Sequence, residues 1–135
     1  MKRDARLRGL SSDHHRALVL AHTLRGASAT GAMLAETFFA ELEPHFRIED
    51  EEVLSVLALR TDAESRALAT RTAEDHAHLR AEAACAAAGE PVDFAAFARR
   101  LEEHVRFEER ELFPFVEAQL PDAVLDAVFR RAPHD

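Results

Sequence analysis

One motif occurs twice, and it limits the architecture more than any other feature of the chain. His45-Phe-Arg-Ile-Glu49-Asp-Glu-Glu52 recurs in register as His104-Val-Arg-Phe-Glu108-Glu-Arg-Glu111. His, Arg, Glu, an acidic residue and Glu occupy the same places in both copies. On a helix, His-x-x-x-Glu puts imidazole and carboxylate one turn apart on one face, with Cβ atoms about 6 Å apart. A weaker echo pairs Asp13-His14 with Asp75-His76. The chain reads as two copies of a helical hairpin related by an approximate two-fold axis.

The apolar periodicity around these motifs is helical throughout, with no strand pattern. A first helix is expected from Ser11 to Ala27, with Ser11 or Ser12 as N-cap, followed by a turn over Gly26–Gly31. A second helix carries Met33, Leu34, Phe38, Leu42, Val53, Val56 and Leu57, and Pro44 should kink it. Thr61 or Asp62 caps a third helix ending at Gly89. Asp93 caps a fourth through Phe97, Leu101, Val105, Leu112 and Phe115, and a short tail helix runs from Pro121 to Arg131. Short connections between long amphipathic helices predict an all-α fold, an up-down-up-down antiparallel four-helix bundle with a short C-terminal helix. No linker divides the chain, so residues 1–135 are read as a single domain.

His45 and Glu49 continue the apolar stripe of the second helix, and His104 and Glu108 that of the fourth. A buried carboxylate without a partner is costly, and a metal ion satisfies all four groups at once. Exposed i,i+4 pairs on charged helices are the bland alternative for either motif alone; their repetition in register on two apolar faces argues against it. Helix 1 offers His14 and His15. His14 lies on the apolar line and is preferred, with His15, about 100° round the helix, as the alternative. His76 lies with Leu68, Ala69, Leu79 and Ala83, whereas His78 falls on the polar side. His22, some 12 Å beyond His14, is too distant to share its metal. His134 and Cys85 are given no role. Four imidazoles and two carboxylates exceed one tetrahedral site and suit two metals bridged by the carboxylates. Two carboxylate charges undercompensate two divalent ions, so hydroxide, oxide or another anion should sit between them. Fe, Mn, Zn or Cu would each accept such a donor set.

Composition removes other classes. With 25 acidic against 17 basic residues the formal net charge is −8, which argues against nucleic acid as a partner. No apolar run is long enough to span a membrane and no signal-peptide pattern opens the chain, so a soluble cytoplasmic protein is expected. The lone Cys85 excludes an intrachain disulfide and a thiolate cage, and the absence of Tyr excludes a phenolate ligand.

These residues carry a family resemblance. Asp13-His14-His15, His45-x-x-x-Glu49, Asp75-His76 and His104-x-x-x-Glu108-Glu-x-x-Leu-Phe-Pro114 make the chain similar to the hemerythrin-like, or HHE cation-binding, family from about Leu7 to Glu117. The resemblance implies a four-helix bundle around a non-haem diiron centre. His14, His45, His76 and His104 would be terminal ligands, with Glu49 and Glu108 bridging two Fe ions, together with an oxo or hydroxo bridge. It implies a protein that binds iron and a small ligand such as dioxygen, nitric oxide or peroxide, in sensing, iron handling or stress response. A diiron enzyme of peroxidase or nitric-oxide reductase type, using the same centre, is the alternative. Oxygen-carrying members use two histidines four residues apart on the third helix. Here Thr72 and Arg80 stand four residues either side of His76, so that fifth ligand is missing and a dedicated carrier is not implied.

Overall fold

The computed structural model describes residues 2–134. Among them there are helices, turns and no strand. A 3₁₀ turn at Ala5–Leu7 leads into α1, Arg8–Leu24. Helix α2 is a continuous path over 31–57 in which α-helical turns alternate with π-helical ones at Phe38–Leu42 and Glu49–Leu54. Helix α3 is Ala63–Ala87. Helix α4 covers 94–119, with a π-helical segment at Glu108–Leu112, and α5 is Asp122–Arg131.

The helix ends follow local chemistry. Asp62 and Asp93 accept from the backbone N–H groups of Ser65 and Ala96, and Gly89, at φ +79°, takes the left-handed turn after α3. The start of α1 is a correction to the expected one. Asp4 accepts from the Arg6 N–H, so the chain is helical well before Ser11 and neither Ser11 nor Ser12 is a cap. Ser11 instead donates its hydroxyl to Glu109 on α4, at 2.7 Å.

Among the described residues, internal prolines closely follow two of the three π-helical segments. Pro44 follows Phe38–Leu42, and Pro114 follows Glu108–Leu112. A wider i→i+5 turn accommodates the hydrogen bond that proline cannot donate, so the helical path continues through Pro44 and Pro114. Each such turn adds a residue and moves the buried face by about 100°. Val56 and Phe115, expected in the core, are therefore half-buried, and Leu54 and Phe113 are buried instead.

Helix α1 packs on α4, α2 on α3 and α3 on α4, and α1 also meets α2. Ion pairs give the directions. Arg3–Glu117, His14–Glu109 and Arg25–Glu102 climb one partner while descending the other. Arg80–Glu43 and His76–Asp50 do the same between α2 and α3, as do Arg100–Glu82 and His104–Asp75 between α3 and α4. Helix α5 folds back over the chain start, where Arg6 meets Asp122 and Asp126. Gly9 is needed there, because a Cβ would lie 2.0 Å from the Ala132 carbonyl oxygen.

The apolar interior forms two clusters. One gathers Leu20, Leu24, Phe38, Phe46, Leu79, Phe97 and Leu101. The other gathers Leu7, Leu10, Val53, Leu57, Leu68, Phe113, Leu125 and Val128. Along every long helix the residues between the two clusters are polar and buried: His14, His45 with Glu49, Thr72 with His76, and His104 with Glu108.

Candidate metal centre

That polar layer contains both halves of the repeated motif. His14 comes from α1, His45 and Glu49 from α2, His76 from α3, and His104 and Glu108 from α4. All six are buried, and both glutamates have 0% exposure. They fall into two groups, His14, His45, Glu49 and Glu108 on one side and Glu49, His76, His104 and Glu108 on the other. Within each group the donor atoms lie within 4.8 Å of one another. Both glutamates belong to both groups. His15, His22, His78 and His134 are exposed, and Cys85 is half-buried beside Pro91 and Val92, away from the layer.

One oxygen, Glu108 Oε1, is met by His14 Nε2 at 2.7 Å and by His45 Nε2 at 3.5 Å, and the other donor atoms face a common space. His45 Nε2 lies 3.1 Å from Glu49 Oε2, His76 Nε2 3.1 Å from Glu49 Oε1, and His104 Nε2 3.2 Å from Glu108 Oε2. Even so, both oxygens of Glu49, Glu108 Oε2, and Nε2 of His76 and His104 lack a partner in hydrogen-bond geometry. Buried polar atoms are seldom left so. Five nitrogen and carboxylate donor atoms crowded together without being satisfied by each other fit a transition-metal ion.

The outer nitrogen of each imidazole is fully engaged, which sequence reasoning missed. His45 Nδ1 meets Asp13 at 3.1 Å, His76 Nδ1 meets Asp50 at 2.7 Å, His104 Nδ1 meets Asp75 at 2.9 Å, and His14 Nδ1 meets Glu109 at 2.7 Å. A carboxylate accepting from Nδ1–H fixes the ring's orientation and leaves Nε2 as the inward donor. The signal was present in the sequence. These are the aspartates preceding His14 and His76 and the acidic residues following Glu49 and Glu108.

Charge in the layer is mutual. Burial alone would pull the histidines down, but the surrounding carboxylates outweigh it. His76 is pushed up to about 11 by Asp50, Glu108 and Glu49, and His104 to about 9 by Glu108 and Asp75. His45 rises well above the ordinary imidazole range and His14 rises too, for the same reason. Burial would push Glu108 up, yet His104, His14 and His45 hold it well below the usual carboxylate range. In the metal-free protein, protons on the imidazoles therefore balance Glu108, and a metal must displace them to bind.

The sequence model of the hemerythrin HHE cation-binding domain matches residues 6–116, a span containing the four buried histidines, both buried glutamates and all four outer carboxylates. The chain belongs to this family. No curated protein and no solved structure matches the chain. For an HHE domain, the position where a fifth imidazole would enter from α3 is informative. Thr72 is fully buried but turns its hydroxyl to the Leu68 carbonyl, 2.8 Å away, and Arg80 points outward to Glu43 and Asp50. Among the described residues no helix is long and apolar enough to cross a membrane.

Proposed function

We propose that this HHE domain is an up-down-up-down antiparallel four-helix bundle that holds two iron ions. His14 and His45 would hold one and His76 and His104 the other, with Glu49 and Glu108, which belong to both donor groups, shared between them. The observation carrying this reading is that two four-donor groups share both buried glutamates. The antiparallel ion-pair registers between neighbouring helices support the topology. When bound, such a pair supplies a redox-active, Lewis-acidic centre for a small ligand such as dioxygen, nitric oxide or peroxide. The donor count leaves room for that ligand, because four protein donors per metal do not fill six-coordination.

The chain's own residues supply the rest. Asp13, Asp50, Asp75 and Glu109 hold the imidazoles with Nε2 inward. Phe46, stacked on His76 at 4.0 Å, and Phe113, stacked on His14 at 5.4 Å, back the rings with apolar surface that excludes water. Ligand binding in sensing, iron handling or stress response is the role that fits such a site. The test is metal analysis of protein purified from iron-supplemented cells, followed by nitric oxide titration of the reduced form. About two irons per chain and saturable binding are expected, and repeated recovery of less than about half an equivalent of any transition metal would overturn the reading. Steady consumption of peroxide or nitric oxide with a reductant would identify turnover at the same centre.

A further inference from the structure

Each carboxylate behind a histidine is paired outward with an arginine. Asp50 meets Arg80 at 2.7 Å, Asp13 meets Arg16 at 3.0 Å, Glu109 meets Arg3 at 3.2 Å and Asp75 meets Arg71 at 3.3 Å. Three of these arginines make a second contact. The Arg80 guanidinium lies 5.8 Å from the centre of the Phe46 ring, and Phe46 stacks on His76 with 12° between their planes. Arg3 lies 5.4 Å from the centre of Phe113, which stacks on His14 with 8° between planes. Arg71 lies 4.4 Å from the centre of Phe107, whose ring is 6.4 Å from that of His104. In each case one guanidinium touches both supports of one histidine, the anion accepting from Nδ1 and the aromatic ring beside it. The fourth sector differs. Among the described residues Arg16 pairs with Asp13 alone and has no aromatic ring beneath it, and its side chain is 59% exposed.

We propose that Arg3, Arg71 and Arg80 are positioning residues of the centre, each clamping one histidine through a carboxylate and a phenylalanine together, and that Arg16 is not. The inference rests on the dimetal reading for its consequence, since the clamped atoms are the proposed ligands. The chemistry is specific to arginine. A planar guanidinium can bond a carboxylate along its edge while its face lies on a π-system, and a lysine ammonium cannot do both. Without the clamp the carboxylate turns toward water and the phenylalanine loses its cover, so the imidazole gains freedom that metal binding must remove.

The test compares Arg3→Met, Arg71→Met, Arg80→Met and Arg16→Met with the wild type. Zn2+ affinity is read by chelator competition, alongside Nδ1–H exchange rates of the metal-free proteins by NMR. The first three variants are expected to weaken Zn2+ about tenfold each, and Arg16→Met to stay within about twofold of wild type. Arg80→Lys is expected to behave as Arg80→Met. In the metal-free proteins Arg80→Met should speed exchange at His76 alone, Arg71→Met at His104 alone, and Arg3→Met at His14 alone. Equal losses across all four variants, no loss in any, or full rescue by Arg80→Lys would overturn the proposal. Proton exchange needs no metal. A wild type that failed to bind Zn2+ would therefore count against the dimetal reading, while the exchange pattern still decided the clamp.

Discussion

The metal-free protein should lose stability as pH rises through the range in which many proteins are indifferent. His104 titrates near 6.5 in the unfolded chain and is raised to about 9 in the folded one, because Glu108 and Asp75 favour its charged form more than burial opposes it. A group raised in this way stabilises the fold fully below the unfolded value and loses that contribution as pH climbs through the folded value. The shift corresponds to about 3 kcal/mol, lost progressively between about pH 6.5 and pH 9. For a chain of this length that is roughly 10 °C in Tm. His76, raised to about 11, adds a decline of the same sign that continues beyond pH 9. Glu108, held low, acts in the opposite direction and withdraws its contribution only as pH falls below about 4.5. Maximum stability of the metal-free form is therefore expected between about pH 5 and pH 6.5.

The assay is thermal unfolding of EDTA-treated protein followed by circular dichroism at 222 nm, since the chain has neither Trp nor Tyr to report by fluorescence. A metal-loaded sample is the internal control. Metal ligation requires neutral imidazoles, so metal binding is favoured by higher pH and the loaded protein should not share the alkaline decline. A Tm of the metal-free protein that stayed level or rose between pH 6.5 and pH 9 would refute the reasoning, because His104 would then not be holding its proton against Glu108 and Asp75.

Other outcomes follow from single positions. Glu49→Ala and Glu108→Ala should each lower bound metal by about one equivalent or more, whereas Glu52→Ala, whose carboxylate faces Arg131, should leave it unchanged. His14→Ala should deplete metal while His15→Ala, His22→Ala and His78→Ala do not, read by elemental analysis of the purified variants. Asp75→Asn should weaken metal binding by roughly 10–100-fold while leaving helical content intact, because it removes the anion that orients His104. Gly9→Ala should lower stability by about 1–3 kcal/mol, since its Cβ meets the Ala132 backbone, with the metal-to-protein ratio unaltered.

The inner layer was legible because it depends on a single period. One turn separates His45 from Glu49 and His104 from Glu108, and the apolar residues on either side give the face, so four of the six groups could be read from local spacing. His14 and His76 followed from the same faces. The π turns were not legible in that way. A proline inside an amphipathic helix signals a disturbance, but whether it bends the axis or widens one turn depends on packing. The phase shift after the widened turn is what moved Phe113 inward and Phe115 outward. Phe46 and the outer carboxylates were missed for a different reason. Their partners lie on other helices, and local spacing says nothing about which neighbour a residue one step off the core face will meet.

The positions of those carboxylates nevertheless follow a rule. Asp13 on α1 serves His45 on α2, Asp50 on α2 serves His76 on α3, Asp75 on α3 serves His104 on α4, and Glu109 on α4 serves His14 on α1. The ring closes with every link running in the same sense. On α1 and α3 the serving residue precedes the core-facing histidine by one, and on α2 and α4 it follows the core-facing glutamate by one. A step along a right-handed helix turns the side chain by about 100°, and reversing the helix reverses that rotation as seen from a fixed end. One step back on a rising helix and one step forward on a descending helix therefore aim at the same side. The change from Asp-His to Glu-Asp and Glu-Glu is what the proposed bundle of helices of alternating direction would require if each is to hold a histidine of the next. The same residues that orient the imidazoles thus link each long helix to its neighbour. Metal occupancy and helix association are consequently expected to be coupled through this layer rather than through the two apolar clusters that flank it.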